Sequence, residues 1–244
     1  MARTDGRACD EMRGIKITTG YSAYAEGSCL IEWGNTKVLC CATVEEKKSS
    51  AVKTGRGSVM AEFSLLPRSG RERSIRESER VRHGGRTSEI QRLIARSMRA
   101  AISTHLLGDR TIIMDCDVLQ SDGGTRAAAV TGAYVALVLA CRKLMEEGVL
   151  TENPIRRQVA ATSIGIVGGE MFLDMTAEED ERADVNINCV LNNHGHIVDV
   201  HGVEVKRAFT IEENYQMLGM CQTGLRKVMA IQNEALGETS KEKK

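Results

Sequence analysis

A chain of 244 residues is long enough for one large domain or two small ones with a substantial core. Hydrophobic residues make up 42% and charged residues 27%, an ordinary globular balance, while aromatics at 3% exclude a nucleic-acid platform built mainly on base stacking. Formal net charge is zero, so any polyanion partner must be held by a local patch.

The N-terminus, Met1-Ala2-Arg3-Thr4-Asp5-Gly6-Arg7, carries no secretory pattern. Eight cysteines are scattered without a Cys-x-x-Cys pair, and most fall in apolar stretches such as Val38-Leu39-Cys40-Cys41-Ala42. That distribution fits reduced, buried thiols in a cytoplasmic protein better than disulfides or a zinc site. From Gly14 to Val44 the pattern predicts an antiparallel meander, with Cys29–Trp33 and Lys37–Val44 flanking the hairpin turn Gly34-Asn35-Thr36. Val59 to Leu66 reads as a further strand, stopped by Pro67.

Residues 67–86 then carry Arg68, Arg71, Arg73, Arg76, Arg80, Arg82 and Arg86 against Glu72, Glu77 and Glu79, a local excess of four positive charges with His83 uncounted. Arginine without lysine suits bidentate phosphate contact, and the alternative is a solvated charged loop. The run feeds into Gly84-Gly85-Arg86-Thr87, which opens a helix. Ile90, Leu93, Ile94, Ser97, Met98, Ala101 and Ile102 form its apolar stripe, Ser88 with Gln91 a capping box, and Arg92, Arg96 and Arg99 lie off the stripe.

Thr111–Met114 reads as a strand and Ala127–Met145 as a helix, so Asp115–Arg126 between them reads as a polar turn. The apolar run Ala127–Cys141, interrupted by Thr131 and Gly132, is too short to span a bilayer. A strand handing over to a helix N-terminus aims unpaired N–H groups and the positive dipole end at one spot. Gly123 and Gly124 permit close approach, and Thr125 and Arg126 add a hydroxyl and a fixed cation. The fitting tenant is an anion such as phosphate; the alternative is a helix start capped by Asp122. The second occurrence of Gly-Gly with Arg and Thr at a helix start favours the anion.

Gly148 ends that helix, and Thr151-Glu152-Asn153-Pro154 reads as a linker. Val159–Val167 and Glu170–Met175 flank Gly168-Gly169, and Val185–Leu191 and His196–Val203 flank Asn192-Asn193-His194-Gly195. Ile211–Ala235 reads as an amphipathic helix before a frayed tail over 236–244. The element order predicts an α+β or α/β fold of two related βα halves without an obvious sequence repeat. Between the later hairpins, Ala177–Asn186 is strongly acidic, and Asp184, Asn186 and Asn188 share a strand face. Hard oxygen donors of this kind suit Mg²⁺, which beside a phosphate cradle is equipment for phosphoryl transfer; a solvated acidic turn is the alternative. His194-Gly195-His196 lacks a third ligand, and neither a P-loop nor a Gly-x-Ser-x-Gly elbow is present.

The order and spacing of Leu66-Pro67-Arg68-Ser69, Gly84–Ile94, Asp115–Arg126 and the acidic segment, together with Asp5-Gly6-Arg7 and Ala25-Glu26-Gly27-Ser28, resemble the ribonuclease PH family, over about residues 3–230. The resemblance implies one globular unit over 1–244 in a ribonuclease PH fold of two βαβα-type halves (ribosomal protein S5 domain 2-like), over 10–145 and 157–225. It also implies a phosphate-dependent 3′→5′ exoribonuclease that trims tRNA precursors and other RNA 3′ ends and releases nucleoside diphosphates. Carried over by position, Arg86, Gly124, Thr125 and Arg126 bind the co-substrate phosphate, and Arg68, Arg73, Arg76 and Arg92 meet RNA. Asp180, Asn186 and Asp184 fall at the Mg²⁺ site, with Asp180 and Asn186 in the catalytic positions. A cytoplasmic homo-hexamer, a trimer of dimers without membrane association, is implied too.

The chain departs from the family at Asn186, where the family places an aspartate. The exchange keeps the shape and a carbonyl oxygen but removes a charge. The expected function is therefore active phosphorolytic trimming, with a catalytically impaired RNA-binding ring subunit as the alternative. A small-molecule phosphotransferase ranks third, because it leaves the arginine run without a purpose.

Overall fold

Strand alternation dominates the first part of the chain. In the computed structural model, which describes residues 3–46, 55–76, 79, 84–204 and 206–238, β1 (Ile15–Thr19), β2 (Gly27–Trp33) and β3 (Thr36–Glu46) form the expected antiparallel meander. β4 (Ser58–Leu65) leads through α1 (Gly85–Ala101) to β5 (Arg110–Gln120). β5 inserts between β3 and β4, antiparallel to the first and parallel to the second, giving the order β1-β2-β3-β5-β4. Arg80, Arg82, Glu77 and His83 of the arginine run, and the tail from residue 239 on, lie outside the described residues.

β5 extends well beyond the strand expected at 111–114. Met114, Cys116 and Val118 point into the core while Asp115 and Asp117 take the outer face, the period of two that a half-buried strand requires. Asp115–Gln120 is thus strand, and only Ser121–Gly124 is turn. α1 buries the expected stripe of Ile90, Leu93, Ile94, Ser97, Met98 and Ala101. Its start differs from expectation: Gly84 is the N-cap without a side-chain cap, and Gln91 instead donates to Glu62 at 2.6 Å, so no Ser88–Gln91 capping box forms.

The second sheet is antiparallel throughout, in the order β7-β6-β8-β9, from β6 (Val159–Val167), β7 (Glu170–Leu173), β8 (Val185–Asn192) and β9 (Ile197–Glu204). The acidic segment between β7 and β8 is not a simple turn. Its first part winds into α3 (Ala177–Arg182), started by a reciprocal capping box between Thr176 and Glu179. α4 (Ile211–Ala235) begins with the same device, Thr210 with Glu213. Beyond α4 the chain stays attached: Leu236 is buried and its carbonyl accepts from Arg142 at 2.7 Å.

α2 (Thr125–Glu146) lies between the sheets, packed on β2, β3 and β5 on one side and on β6 and β8 on the other. That position explains why it is apolar all round. At 22 residues it is long and apolar enough to cross a bilayer, against the expectation of too short a run, yet its apolar surface is buried inside the protein. Val130, Val135 and Leu137 are fully buried, each worth about 1.5–3 kcal/mol of apolar transfer. Gly27 of β2 sits so close to the backbone of Ala136 and Ala140 that a Cβ would not fit. One continuous core unites residues of both sheets with α1, α2 and α4.

Candidate functional site

The turn from β5 into α2 is made by two consecutive left-handed glycines, Gly123 at φ 81° and Gly124 at φ 67°. Gly124 is the N-cap and carries no side-chain cap, so the first-turn N–H groups of α2 have no intrahelical partner. Asp122 is not the cap: its carboxylate accepts from Asn35 at 3.0 Å. The turn is pinned from behind. Thr36 Oγ1 donates to the Gly123 carbonyl at 2.6 Å and accepts the Asp122 N–H at 2.9 Å, and the Arg13 guanidinium donates to both the Asp122 and Gly123 carbonyls.

In front of the turn is a cleft of about 40 Å³, with Arg86, Gly124, Thr125 and Arg126 on one side and Asp180, Asn186 and Asn188 on the other. Each water-sized body needs roughly 10–15 Å³, so the space is scaled to a small inorganic ion and not to a nucleotide. α1 contributes Arg86, α2 Thr125 and Arg126, α3 Asp180, and β8 the two asparagines. Both halves of the chain therefore build one site. Arg126 Nη2 donates to Glu89 at 2.7 Å, joining the two glycine turns picked out in the sequence.

Two buried atoms in this cleft have no hydrogen-bond partner among the described residues: Arg126 Nε, a donor, and Asn186 Oδ1, an acceptor. Buried polar groups are almost always satisfied, so a matched orphan pair marks a ligand-shaped gap. A donor beside a helix N-terminus suits an oxyanion. A carboxamide oxygen next to the Asp180 carboxylate, to which Asn186 Nδ2 donates, suits a hard cation. Two protein oxygens completed by waters and a phosphate are a normal Mg²⁺ donor set, so the residues present fit that ion.

Other sequence-level candidates fall elsewhere. Asp184 does not line the cleft; its carboxylate faces Lys206 Nζ at 3.8 Å, because it precedes β8 instead of sharing its pleat. Asp115 and Asp117 line a separate hollow with Glu62. Burial, and then the charges of Asp117 and Glu62, push the Asp115 carboxyl up; burial alone does so for Asp117. His194 and His196 sit at the β8–β9 turn, their rings 6.0 Å apart. Arg68 and Arg71 line a wide groove of about 850 Å³ that shares Asp122 with the β5–α2 turn and also takes in Arg7, Arg13 and Asn35. Arg73, Arg76 and Arg92 are exposed and line neither space.

Sequence reasoning missed Arg13, Thr36, Ser163 and Asp174. Ser163 lines the cleft from β6, and Asp174 anchors Arg13. No local pattern marks them: Thr36, Arg13 and Asp174 act across more than 80 residues of chain, and Ser163 is one position in an apolar strand.

The 3′ exoribonuclease family model matches in both its parts, domain 1 over residues 11–143 and domain 2 over residues 157–223. A protein named Ribonuclease PH from Moorella thermoacetica is 48% identical over 239 residues, covering 98% of this chain and 96% of that one. Another so named, from Solibacter usitatus, is 47% identical over 235 residues, covering 96% and 99%. Among solved structures, a chain of the Archaeoglobus fulgidus exosome with RNA bound to the active site shares the fold at a TM-score of 0.78 with 21% identity, over 93% of this chain and 91% of that one. Rice Rrp46 does so at a TM-score of 0.75 with 18% identity, over 96% and 98%. With its two glycine turns, arginine-lined groove and full-length relatives, the chain belongs to the 3′ exoribonuclease family of ribonuclease PH.

Proposed function

We propose that the small cleft is a phosphorolytic centre in which Arg86, Gly124, Thr125 and Arg126 hold the attacking phosphate and Asp180 and Asn186 face it across the scissile bond. The chain is a phosphate-dependent 3′→5′ exoribonuclease that acts on tRNA precursors. A phosphate oxygen attacks the last phosphodiester, the phosphorus–O3′ bond breaks with its electron pair leaving on O3′, and the hydrogenphosphate proton ends there. The products are a nucleoside diphosphate and an RNA one residue shorter. The observation that carries this reading is the orphan pair, Arg126 Nε against Asn186 Oδ1, which asks for an anion and a cation side by side.

The residues do the positioning. The α2 N-terminus and Arg126 present fixed donors whose strength rises in a water-poor cleft. Arg68, with Arg71, guides the RNA 3′ end along the wide groove, and Arg73, Arg76 and Arg92 meet the backbone further out. Asp180 and Asn186 Oδ1 would hold Mg²⁺, which supplies charge neutralisation for the transferred phosphoryl group. Asp184, paired with Lys206, contributes only as a nearby charge. The assembly is a homo-hexamer, a trimer of dimers, and the eight free cysteines accord with a cytoplasmic location.

A second reading, a ring subunit that binds RNA and turns over slowly, is favoured by the single amide at Asn186. One experiment separates the two. A 3′-extended tRNA is incubated with the protein, Mg²⁺ and graded phosphate, and nucleoside diphosphates are quantified. Phosphate-dependent shortening supports the enzyme; shortening that ignores phosphate removes it, and binding without shortening leaves the subunit reading.

A further inference from the structure

Asp174 is the only non-glycine residue at positive φ among those described, at 53°, a conformation L side chains rarely adopt. It is 1% exposed, and its carboxylate is fully engaged. Oδ2 accepts from the Arg13 N–H at 2.8 Å, Arg13 Nε at 3.0 Å and Trp33 Nε1 at 2.9 Å, and Oδ1 accepts from Arg13 Nη2 at 2.6 Å. A carboxylate gripped this way fixes the guanidinium plane, and the guanidinium hydrogens that remain reach the carbonyls of Asp122 and Gly123. Thr36 Oγ1 secures the same two residues.

In a trans peptide the C=O and N–H point in opposite directions. Holding the Gly123 carbonyl against Thr36 and Arg13 therefore aims the Gly124 N–H away from them, toward the cleft that Gly124 lines. Contact is tight: a Cβ on Gly124 would lie 2.9 Å from Arg13 Nη2. We propose that Arg13, oriented by Asp174 and assisted by Thr36, is the positioning residue of the phosphate cradle, and that it sets phosphate affinity without itself lining the cleft. The inference rests on the reading of the cleft as a phosphate site and adds the residue that shapes it. Nothing in the N-terminal segment would otherwise need a second buried arginine, since Arg3 already pairs with Glu179 at 2.8 Å.

The test compares the full-length protein with Arg13→Lys, Thr36→Val and Thr36→Ser. Phosphate saturation is read twice: in trimming of a 3′-extended tRNA, and, without RNA, as the phosphate concentration that half-saturates the rise in melting temperature. Arg13→Lys keeps the charge but cannot bridge Asp174 to two carbonyls, and Thr36→Val keeps the shape but not the hydroxyl. Both should need about tenfold more phosphate in both readings, the worth of one charge-assisted hydrogen bond, and in Thr36→Val, whose side chain lines neither the cleft nor the groove, kcat at saturating phosphate and RNA affinity should stay near the parent's. Thr36→Ser should restore the parent value. The inference is overturned if phosphate demand is unchanged in both variants while the parent responds to phosphate, or if kcat falls as phosphate demand rises and serine rescues neither. A parent that shows neither phosphate-dependent trimming nor phosphate-dependent stabilisation overturns the underlying reading of the cleft, and this inference with it.

Discussion

Asn186 donates through Nδ2 to the Asp180 carboxylate, which leaves Asn186 Oδ1 buried and without a partner among the described residues. An aspartate here could not make that donation. Two carboxylates would instead repel each other until a cation came between them.

Asn186→Asp should therefore bind Mg²⁺ more tightly and trim faster. A gain of about tenfold in kcat corresponds to roughly 1.4 kcal/mol of barrier, a modest share of what a metal-held charge supplies. Trimming rates over a Mg²⁺ titration of both proteins check this. An unchanged rate and an unchanged Mg²⁺ midpoint would place the metal away from Asp180.

Arg126 loses its cleft-facing donor when replaced by alanine. Hydrogen bonds to charged groups are worth about 1.5–3 kcal/mol, so the phosphate KM of Arg126→Ala should rise about 10- to 150-fold. RNA affinity, measured without phosphate, should barely move if Arg126 serves the small anion as proposed, since its protein partner is Glu89 and it lines no part of the wide groove. Equal losses of both affinities would contradict that assignment.

Gly123 and Gly148 form a natural control pair. Both have positive φ, 81° and 72°. A Cβ on Gly148 meets nothing within 4 Å, whereas on Gly123 it would lie 2.6 Å from the Met175 carbonyl oxygen and 2.7 Å from Ala177 N. Gly148→Ala should cost only the backbone strain, about 1–2 kcal/mol. Gly123→Ala should add an overpacking cost of about 1–3 kcal/mol and should also abolish phosphate-dependent stabilisation. Thermal melts with and without phosphate distinguish them.

The Arg3–Glu179 pair predicts a pH dependence. Burial pushes the Glu179 carboxyl up, but the Arg3 hydrogen bonds, the Thr176 N–H and the charges of Arg3 and Arg7 outweigh it and hold the group below the usual carboxylate range. A folded-state value below the unfolded one contributes stability that is fully present above the unfolded value and is lost as pH falls through the folded one. Glu179→Gln leaves Arg3 buried without its counter-charge and should cost about 3–5 kcal/mol at neutral pH. The gap in melting temperature between parent and variant should narrow as pH drops below the unfolded glutamate's range near 4.5. A gap that stays constant down to pH 3 would mean that Glu179 acts through shape alone.

Much of the architecture was legible wherever a local rule decided it. The hairpin at Gly34, the stripe on α1 and the strands around Gly168-Gly169 all follow from period and turn chemistry. The misreading of Asp115–Gln120 has a physical cause. Aspartates disfavour strands, and they obscured the alternation of Met114, Cys116 and Val118, which the core rewards. That Gly124, Thr125 and Arg126 line one cleft was legible because they lie adjacent in sequence. Its supports were not: Arg13 and Asp174 meet across 161 residues, and no spacing rule reaches that far.

The sandwiched helix α2 has a consequence for motion. Its first turn is the cradle and its body is the shared interior of both sheets, so the cradle cannot loosen without disturbing the whole core. Amide protons at the start of α2, such as that of Ala128 bonded to the Gly124 carbonyl at 3.0 Å, should therefore exchange slowly, as those of a buried core element do. A phosphate seated on so deeply packed a helix would bind with little ordering of that helix.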